Sequence, residues 1–130
     1  MATSIQPTAE QLQAITSSPI EGPVVMLNLL RFRSGGGRAS YDRYGEAVQP
    51  LLEKAGAEVV WYGEGDSVVI GDDSVDAWDA VILVRYPSRE AFLGMVLSPE
   101  YHAIGELRTE GLDDSRLIAC TEVFPLAPGK

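Results

Sequence analysis

The run VVMLNLLRF at residues 24–32 decides the fold of this chain, because it is apolar on both of its faces until Arg31. Successive side chains of a β-strand point to opposite sides, so Val24, Met26 and Asn28 would share one face. An apolar run of this kind is typical of a strand that lies inside a sheet and is covered on both sides. The sequence therefore predicts a central strand here.

The segments on either side alternate between helical and extended patterns. Thr8 and Gln11 form a capping box for a short first helix, and Ser40 is the expected N-cap of the first long helix, which Pro50 should kink. The predicted elements are helix 8–16, strand 24–32, helix 40–55, strand 57–62 resuming at 68–70 after a glycine-rich break, strand 78–86, helical segments from 88 and from 98 to 111, and strand 115–124. Residues 57–70 are either one long bent strand with a glycine bulge or two short strands. This order predicts an α+β, ferredoxin-like βαββαβ fold with an extra N-terminal helix.

The predicted fold implies one domain and one uncovered surface. We expect a helical extension over residues 1–22 and the ferredoxin-like domain over 23–130. The helices can cover only one face of the sheet, yet the first strand is apolar on both. A second copy of the chain is the simplest cover for the other face. We therefore expect a homodimer in which two sheets meet as a dimeric α/β barrel.

The charge balance limits the other partners. Acidic residues outnumber basic ones by 19 to 10, the net charge is −9, and the arginines are scattered. Without a basic stripe, neither nucleic acid nor an anionic membrane surface is an expected partner. No apolar run is long enough to cross a bilayer and no secretory signal is visible, so the default expectation is a cytoplasmic protein.

Metal and cofactor chemistry has little support in the residue types. His102 is the only histidine and Cys120 the only cysteine, which excludes multi-histidine and cysteine–histidine metal centres within one chain. Cys120 is expected to be a small buried hydrophobe. The glycine run at 35–37 is expected to be a flexible loop, because it lacks the ending of a phosphate-binding loop. We therefore expect no metal and no cofactor.

Five stretches together resemble a known family. They are VVMLNLLRF (24–32), YDRYGEAVQPLL (41–52), VVWYGEGDSVVIG (59–71), WDAVILVRYPSREAFLGMVLSPEY (78–101) and GLDDSRLIAC (111–120). Over about residues 24–124 the chain is similar to the family called domain of unknown function 1330, of the dimeric α/β barrel group. The resemblance implies a ferredoxin-like protomer that pairs through its sheet. Relatives in that group include cofactor-free monooxygenases, isomerases, haem enzymes and stress-response proteins, so the fold does not select a chemistry.

Asn28 and three aromatic residues are the candidate ligand-binding residues. A buried amide needs hydrogen-bond partners, so Asn28 either bonds a neighbouring loop or orients a ligand. Tyr44, Trp61 and Tyr101 lie near element ends, where they either complete the core or wall a pocket between helices and sheet. A small planar or anionic ligand is the kind that such a pocket would take.

His102 and Arg108 are the candidate catalytic residues. His102 would move a proton, unless it is an exposed helix residue. Arg108 would stabilise negative charge on oxygen, and Arg31 and Arg85 are further candidates for carboxylate binding or for structural ion pairs. The carboxylate pairs at 72–73 and 113–114 are expected in solvated turns. Two hypotheses stay open: a metal-free small-molecule enzyme of the oxygenase or isomerase type, and a non-catalytic small-ligand-binding or stress-related dimer.

Overall fold

A computed structural model describes residues 4–123 of the chain. Its elements are α1 (Ala9–Ser17), β1 (Val24–Phe32), α2 (Gly37–Ala55), β2 (Glu58–Glu64), α3 (Asp73–Asp76), β3 (Ala80–Tyr86), α4 (Arg89–Val96), α5 (Pro99–Gly111) and β4 (Leu112–Cys120). The strands form one sheet in the order β2-β3-β1-β4, and all neighbours are antiparallel. This confirms the predicted ferredoxin-like α+β fold, to which the short α3 is an unpredicted addition.

The first strand lies between β3 and β4 at the centre of the sheet, as its two-sided apolar pattern predicts. Val24 and Leu30 are fully buried and Met26 is 1% exposed, because these side chains point towards the helices. They share a core with residues of the helices and the other strands, namely Tyr41, Tyr44, Val48, Leu52, Ala80, Ile82, Val84, Tyr86, Phe92, Met95 and Leu112. The helix-facing side of the sheet is therefore sealed by the chain itself.

The helix α2 begins at Gly37 and not at the predicted N-cap Ser40. Gly36 precedes it with a φ of 109°, a left-handed conformation that glycine adopts without strain. Gly37 also lies against the end of α5, since a Cβ on it would come within 2.6 Å of the Gly111 carbonyl oxygen. The glycine run is thus the turn that starts α2 and allows its close approach to α5. The helix then continues past Pro50 to Ala55.

The strand predicted to resume at 68–70 does not form. Val69 and Ile70 are 89% and 95% exposed and lie in a bend between β2 and α3. Instead, β2 continues without the predicted break through Gly63 to Glu64. The pairing of β2 with β3 shifts register between Val59 and Trp61, which is a β-bulge. The bulge changes which side of the sheet the following residues face.

The last strand begins directly after α5, at Leu112 and not at Ser115 as predicted. Asp114 is therefore a strand residue that is only 5% exposed, so the prediction of a solvated turn is wrong for it. The strand ends at Cys120, which is partly exposed where a buried thiol was expected. The predicted end at Phe124 lies outside the described residues.

One face of the sheet points away from the helices, and we call it the open face. The ladder pairing places on it Val25, Leu27 and Leu29 of β1, Trp61 of β2, Val81 and Leu83 of β3, and Ile118 of β4. Trp61 is 52% exposed and Ile118 is 48% exposed. An apolar face of this kind, formed by four strands, is typical of a surface that packs against a partner.

The N-terminal helix α1 lies on the outside of the helix layer, against α4. Its predicted capping box is present: the Gln11 amide donates to the Thr8 hydroxyl at 3.1 Å, and the Thr8 amide donates to the Gln11 side chain at 2.9 Å. No helix within residues 4–123 combines the length and apolar character that crossing a membrane would require.

Candidate functional site

An aromatic cluster lies between the helix layer and the sheet and contains two of the predicted ligand-binding residues. The hydroxyls of Tyr44 on α2 and Tyr101 on α5 share a hydrogen bond of 2.8 Å, and their rings meet edge to face with centroids 6.1 Å apart. Tyr41 packs on Tyr44 with centroids 5.3 Å apart, and Phe32 packs on Tyr41 at 5.5 Å. We call Phe32, Tyr41, Tyr44 and Tyr101 the aromatic cluster.

Local sequence explains how the two helices position these rings. Tyr41 and Tyr44 are three residues apart on α2 and therefore lie on one face of the helix. On α5, Ser98 accepts a hydrogen bond from the Tyr101 amide at 3.1 Å and Pro99 occupies the first turn. This cap fixes where α5 begins and so where Tyr101 meets α2.

Two phenols of the cluster, Tyr41 and Tyr44, are under the electrostatic influence of a cation, Arg108 on α5. Burial raises the pKa of Tyr41 to about 12 and that of Tyr44 well above its usual value, and the charge of Arg108 offsets part of the increase. Both phenols therefore keep their protons at neutral pH. They can donate hydrogen bonds to a ligand but cannot act as bases.

Arg108 is partly buried and bonds a main-chain carbonyl. Its Nη1 donates a hydrogen bond of 2.6 Å to the main-chain carbonyl of Ile5. The ion pairs found among residues 4–123 do not include Arg108. Its charge is therefore not neutralised by a carboxylate of the described chain.

Asn28 lies on the helix-facing side of β1, in the same layer as the aromatic cluster. Its amide nitrogen donates to the main-chain carbonyls of Met26 at 3.3 Å and Ile82 at 3.2 Å, so its partner is the sheet and not the predicted neighbouring loop. Its carbonyl oxygen has no hydrogen bond with the described residues and is not sealed from solvent. Leu117, opposite Asn28 on β4, is 42% exposed, so the layer is accessible at this edge.

The structure separates Trp61 from the aromatic cluster. The bulge in β2 pairs Trp61 with Leu83, which points to the open face, whereas uninterrupted alternation from Val59 would have turned Trp61 towards the helices. The indole also lies across Gly63, where a Cβ would collide with the ring. Trp61 therefore belongs to the open face.

The structure does not bring His102 to the cluster either. It follows Tyr101 on α5, but successive helical residues point in directions about 100° apart, and His102 is exposed. Its proposed role in proton transfer has no partner among the residues of the aromatic cluster. Exposure is the alternative that the sequence left open.

Arg31 and Arg85 form ion pairs at opposite ends of the open face. Arg31 contacts the Asp114 carboxylate at 3.4 Å and stacks on Trp78 at 4.4 Å. Arg85 contacts Glu58 at 3.3 Å and Glu122 at 3.2 Å. These are the structural ion pairs that the sequence offered as the alternative to ligand binding.

Asp114 connects the N-terminal segment to the sheet, which the sequence did not predict. Burial raises the pKa of its carboxyl, but hydrogen bonds from the Ser4 amide, the Arg116 guanidinium and the Ser115 amide outweigh burial and hold the pKa below its usual value. The sequence signal that was available, an acidic pair after a helix-stopping glycine, indicates a turn equally well.

Two surface clefts occur elsewhere in the described structure. One of about 380 Å³ lies between the α1–β1 connection and Arg89 of α4, and one of about 240 Å³ lies between α2 and α4 beside Met95. Neither is lined by a predicted site residue. Among residues 4–123, no three His, Cys, Asp or Glu side chains come together in a way that could hold a metal ion.

Solved structures of similar shape include proteins whose function is unknown. A protein of unknown function from Rhodopseudomonas palustris is 34% identical, with a TM-score of 0.89 over 95% of this chain and 100% of its own. A dimeric ferredoxin-like protein of unknown function from Jannaschia is 12% identical, with a TM-score of 0.58 over 78% of this chain and 100% of its own.

A candidate antibiotic biosynthesis monooxygenase from Bacteroides thetaiotaomicron is 15% identical, with a TM-score of 0.58 over 83% of this chain and 96% of its own. At such low identity, the likeness of this chain to the Bacteroides thetaiotaomicron and Jannaschia proteins shows the fold alone. No curated protein matches the chain. The family described as domain of unknown function (DUF1330) matches residues 36–121. The chain therefore belongs to the DUF1330 family, as its sequence motifs indicate.

Proposed function

We propose that this protein is a homodimer that binds a small planar anion between the helices and the sheet of each protomer. The observation that carries the proposal is the Tyr44–Tyr101 hydroxyl pair, whose oxygens are 2.8 Å apart. The charge of Arg108 also acts on Tyr44, where it offsets part of the rise in pKa. Protonated phenols and a guanidinium are hydrogen-bond donors, and the planar guanidinium matches a carboxylate in particular. Donors and a cation together favour an anionic ligand.

The rings of the aromatic cluster support a flat ligand. Aromatic rings attract one another in offset or edge-to-face contacts beyond the area that they bury. Asn28 is in the same layer with an accessible carbonyl oxygen, which would accept a hydrogen bond from a ligand hydroxyl or amine. A planar aromatic carboxylate combines these features.

The open face supports the homodimer. Its apolar residues belong to all four strands, and a second open face would cover them without any further element of the chain. The neighbour from Jannaschia is described as dimeric, and it has the same fold. The division into an extension over 1–22 and a domain over 23–130 stays a prediction.

A metal-free oxygenase or isomerase is the second candidate function. The hydroxyl of Tyr44 could donate a hydrogen bond to a bound ligand, although its raised pKa makes it a weak acid, and the neighbour from Bacteroides thetaiotaomicron is a candidate monooxygenase. An enzyme of this type would also need a base, and the predicted base His102 is exposed. Ligand binding without catalysis is therefore the function that the geometry supports better.

Thermal unfolding in the presence of planar carboxylates tests the proposal. Benzoate and cinnamate should raise the melting temperature, because a ligand at 100 times its Kd adds about 2.7 kcal/mol to stability. The uncharged benzamide and cinnamamide should not raise it, because they lack the negative charge that Arg108 would bind. Arg108→Gln should weaken carboxylate binding by tenfold or more, since a hydrogen bond to a charged group contributes about 1.5–3 kcal/mol.

Arg43→Gln is the matched control, because Arg43 is exposed and its side-chain partner within residues 4–123 is the Ser40 hydroxyl. It should bind carboxylates as the unmodified protein does. Equal binding by the Arg108→Gln and Arg43→Gln proteins, or no shift with any carboxylate, would contradict the proposed site.

A further inference from the structure

The first described residues form a short strap across the end of the helix layer. We define the N-terminal strap as residues 4–6. The Ser4 amide donates to the Asp114 carboxylate at 2.7 Å, and the Ser115 hydroxyl donates to the Ser4 carbonyl at 2.6 Å. The strap therefore joins β4 before the chain turns into α1.

The strap also contacts α5 and the core. Arg108 donates to the Ile5 carbonyl at 2.6 Å, the Gln6 side chain reaches the Thr109 hydroxyl at 3.4 Å, and the Ile5 side chain packs against the hydrophobic core. It thus covers the cation that acts on Tyr41 and Tyr44.

The Ile5 carbonyl is a weak partner for Arg108 in chemical terms. A main-chain carbonyl carries only a partial negative charge, whereas a carboxylate can accept two parallel hydrogen bonds from the guanidinium fork and neutralise its charge. A partly buried guanidinium is stabilised more by a carboxylate than by a carbonyl, because interactions between charges strengthen where water is excluded.

We propose that the Ile5 carbonyl occupies the position of the ligand carboxylate, so that the N-terminal strap is a gate that an anionic ligand displaces from Arg108. The inference rests on the proposed function, because it concerns the same site. Ligand and strap compete for one guanidinium. The apparent affinity is then the intrinsic affinity reduced by the fraction of molecules in which the strap is closed.

Competition predicts that loosening the strap tightens ligand binding. Ser115→Ala removes the hydroxyl that donates to the Ser4 carbonyl, and Ser115 takes no part in the Tyr44–Tyr101 hydrogen bond of the aromatic cluster. One hydrogen bond of about 1 kcal/mol corresponds to roughly a fivefold change in the closed-to-open ratio. If the strap instead completed the ligand site, the same substitution would weaken binding.

The experiment measures benzoate affinity by calorimetry for the unmodified protein, the Ser115→Ala protein and a Ser67→Ala control. Ser67 is exposed in the connection between β2 and α3. We expect about fivefold tighter binding for Ser115→Ala and no change for Ser67→Ala. Amide hydrogen exchange at residues 4–6 of the unmodified protein should become faster on adding benzoate, because the Ser4 amide loses its acceptor.

The outcomes separate the two proposals. Benzoate binding that is unchanged or weaker in Ser115→Ala, or slower exchange in the strap on binding, would overturn the gate and leave the ligand site standing. Absence of binding to all three proteins would overturn the proposed function and the gate with it.

Discussion

The two faces of the sheet are formed by the same strands but differ in how far their side chains are buried. On the helix-facing side, Val24 and Leu30 are fully buried, whereas Trp61 on the open face is 52% exposed and Ile118 is 48% exposed. Both faces are apolar, since neighbouring residues of β1 alternate between them. One face is sealed by the helices of its own chain. The other has an apolar centre between charged ends but no such cover, which is the physical reason to expect a second chain.

The largest expected effect is on the free energy of unfolding, which should respond differently to a substitution on each face. Leu30→Ala should lower the free energy of unfolding by about 2–5 kcal/mol, because it leaves a cavity in a fully buried site. Leu29→Ala, its neighbour on the open face, should act mainly on association and so depend on protein concentration. Urea unfolding at two protein concentrations checks both. A concentration-independent loss for Leu29→Ala equal to that of Leu30→Ala would remove the distinction between the faces.

A charge on the open face should break the pairing while preserving the fold. Ile118→Asp would place a carboxylate between two apolar faces, where an unpaired charge costs several kcal/mol, so the dimer should weaken by at least about a hundredfold. Leu97→Asp is the control, because Leu97 is equally apolar and 56% exposed at the end of α4. Size-exclusion chromatography with light scattering distinguishes the variants. Dimers of unchanged strength in both would show that the open face is not the interface.

The smallest expected effect concerns Asp114. Its carboxylate pairs with Arg31 on the open face and accepts a hydrogen bond from Ser4 of the N-terminal strap. Its pKa is lower in the folded chain than in the unfolded one, so the unfolded state binds more protons as the pH drops below about 4. Its contribution to stability is complete above that pH and is lost as the pH falls through the folded pKa. Asp114→Asn should flatten the acid limb of the stability curve. An unchanged slope below pH 4 would contradict this role.

The spacing of apolar residues along the sequence was sufficient to predict the sheet and its central strand. It was not sufficient where one residue changes the geometry. The glycines before α2 permit a left-handed turn, so the helix begins at Gly37 instead of Ser40. Val69 and Ile70 have high β-propensity but find no strand to pair with. Such outcomes depend on contacts distant in sequence.

The candidate site was predictable only in part, for related reasons. Helical spacing places Tyr101 and Arg108 on one side of α5, and in the structure Tyr101 bonds Tyr44 while the charge of Arg108 offsets part of the rise in the pKa of Tyr44. The bulge that turns Trp61 to the open face cannot be located from alternation alone. The contact between Arg108 and Ile5 joins residues 103 positions apart, which no local pattern encodes.

Sedimentation equilibrium of the unmodified protein at micromolar concentration tests the central claim most directly. If a twin open face covers each sheet, the species present will have the mass of two 14.0 kDa chains. A well-folded species with the mass of a single chain, whose tryptophan fluorescence does not change on dilution, would contradict the account.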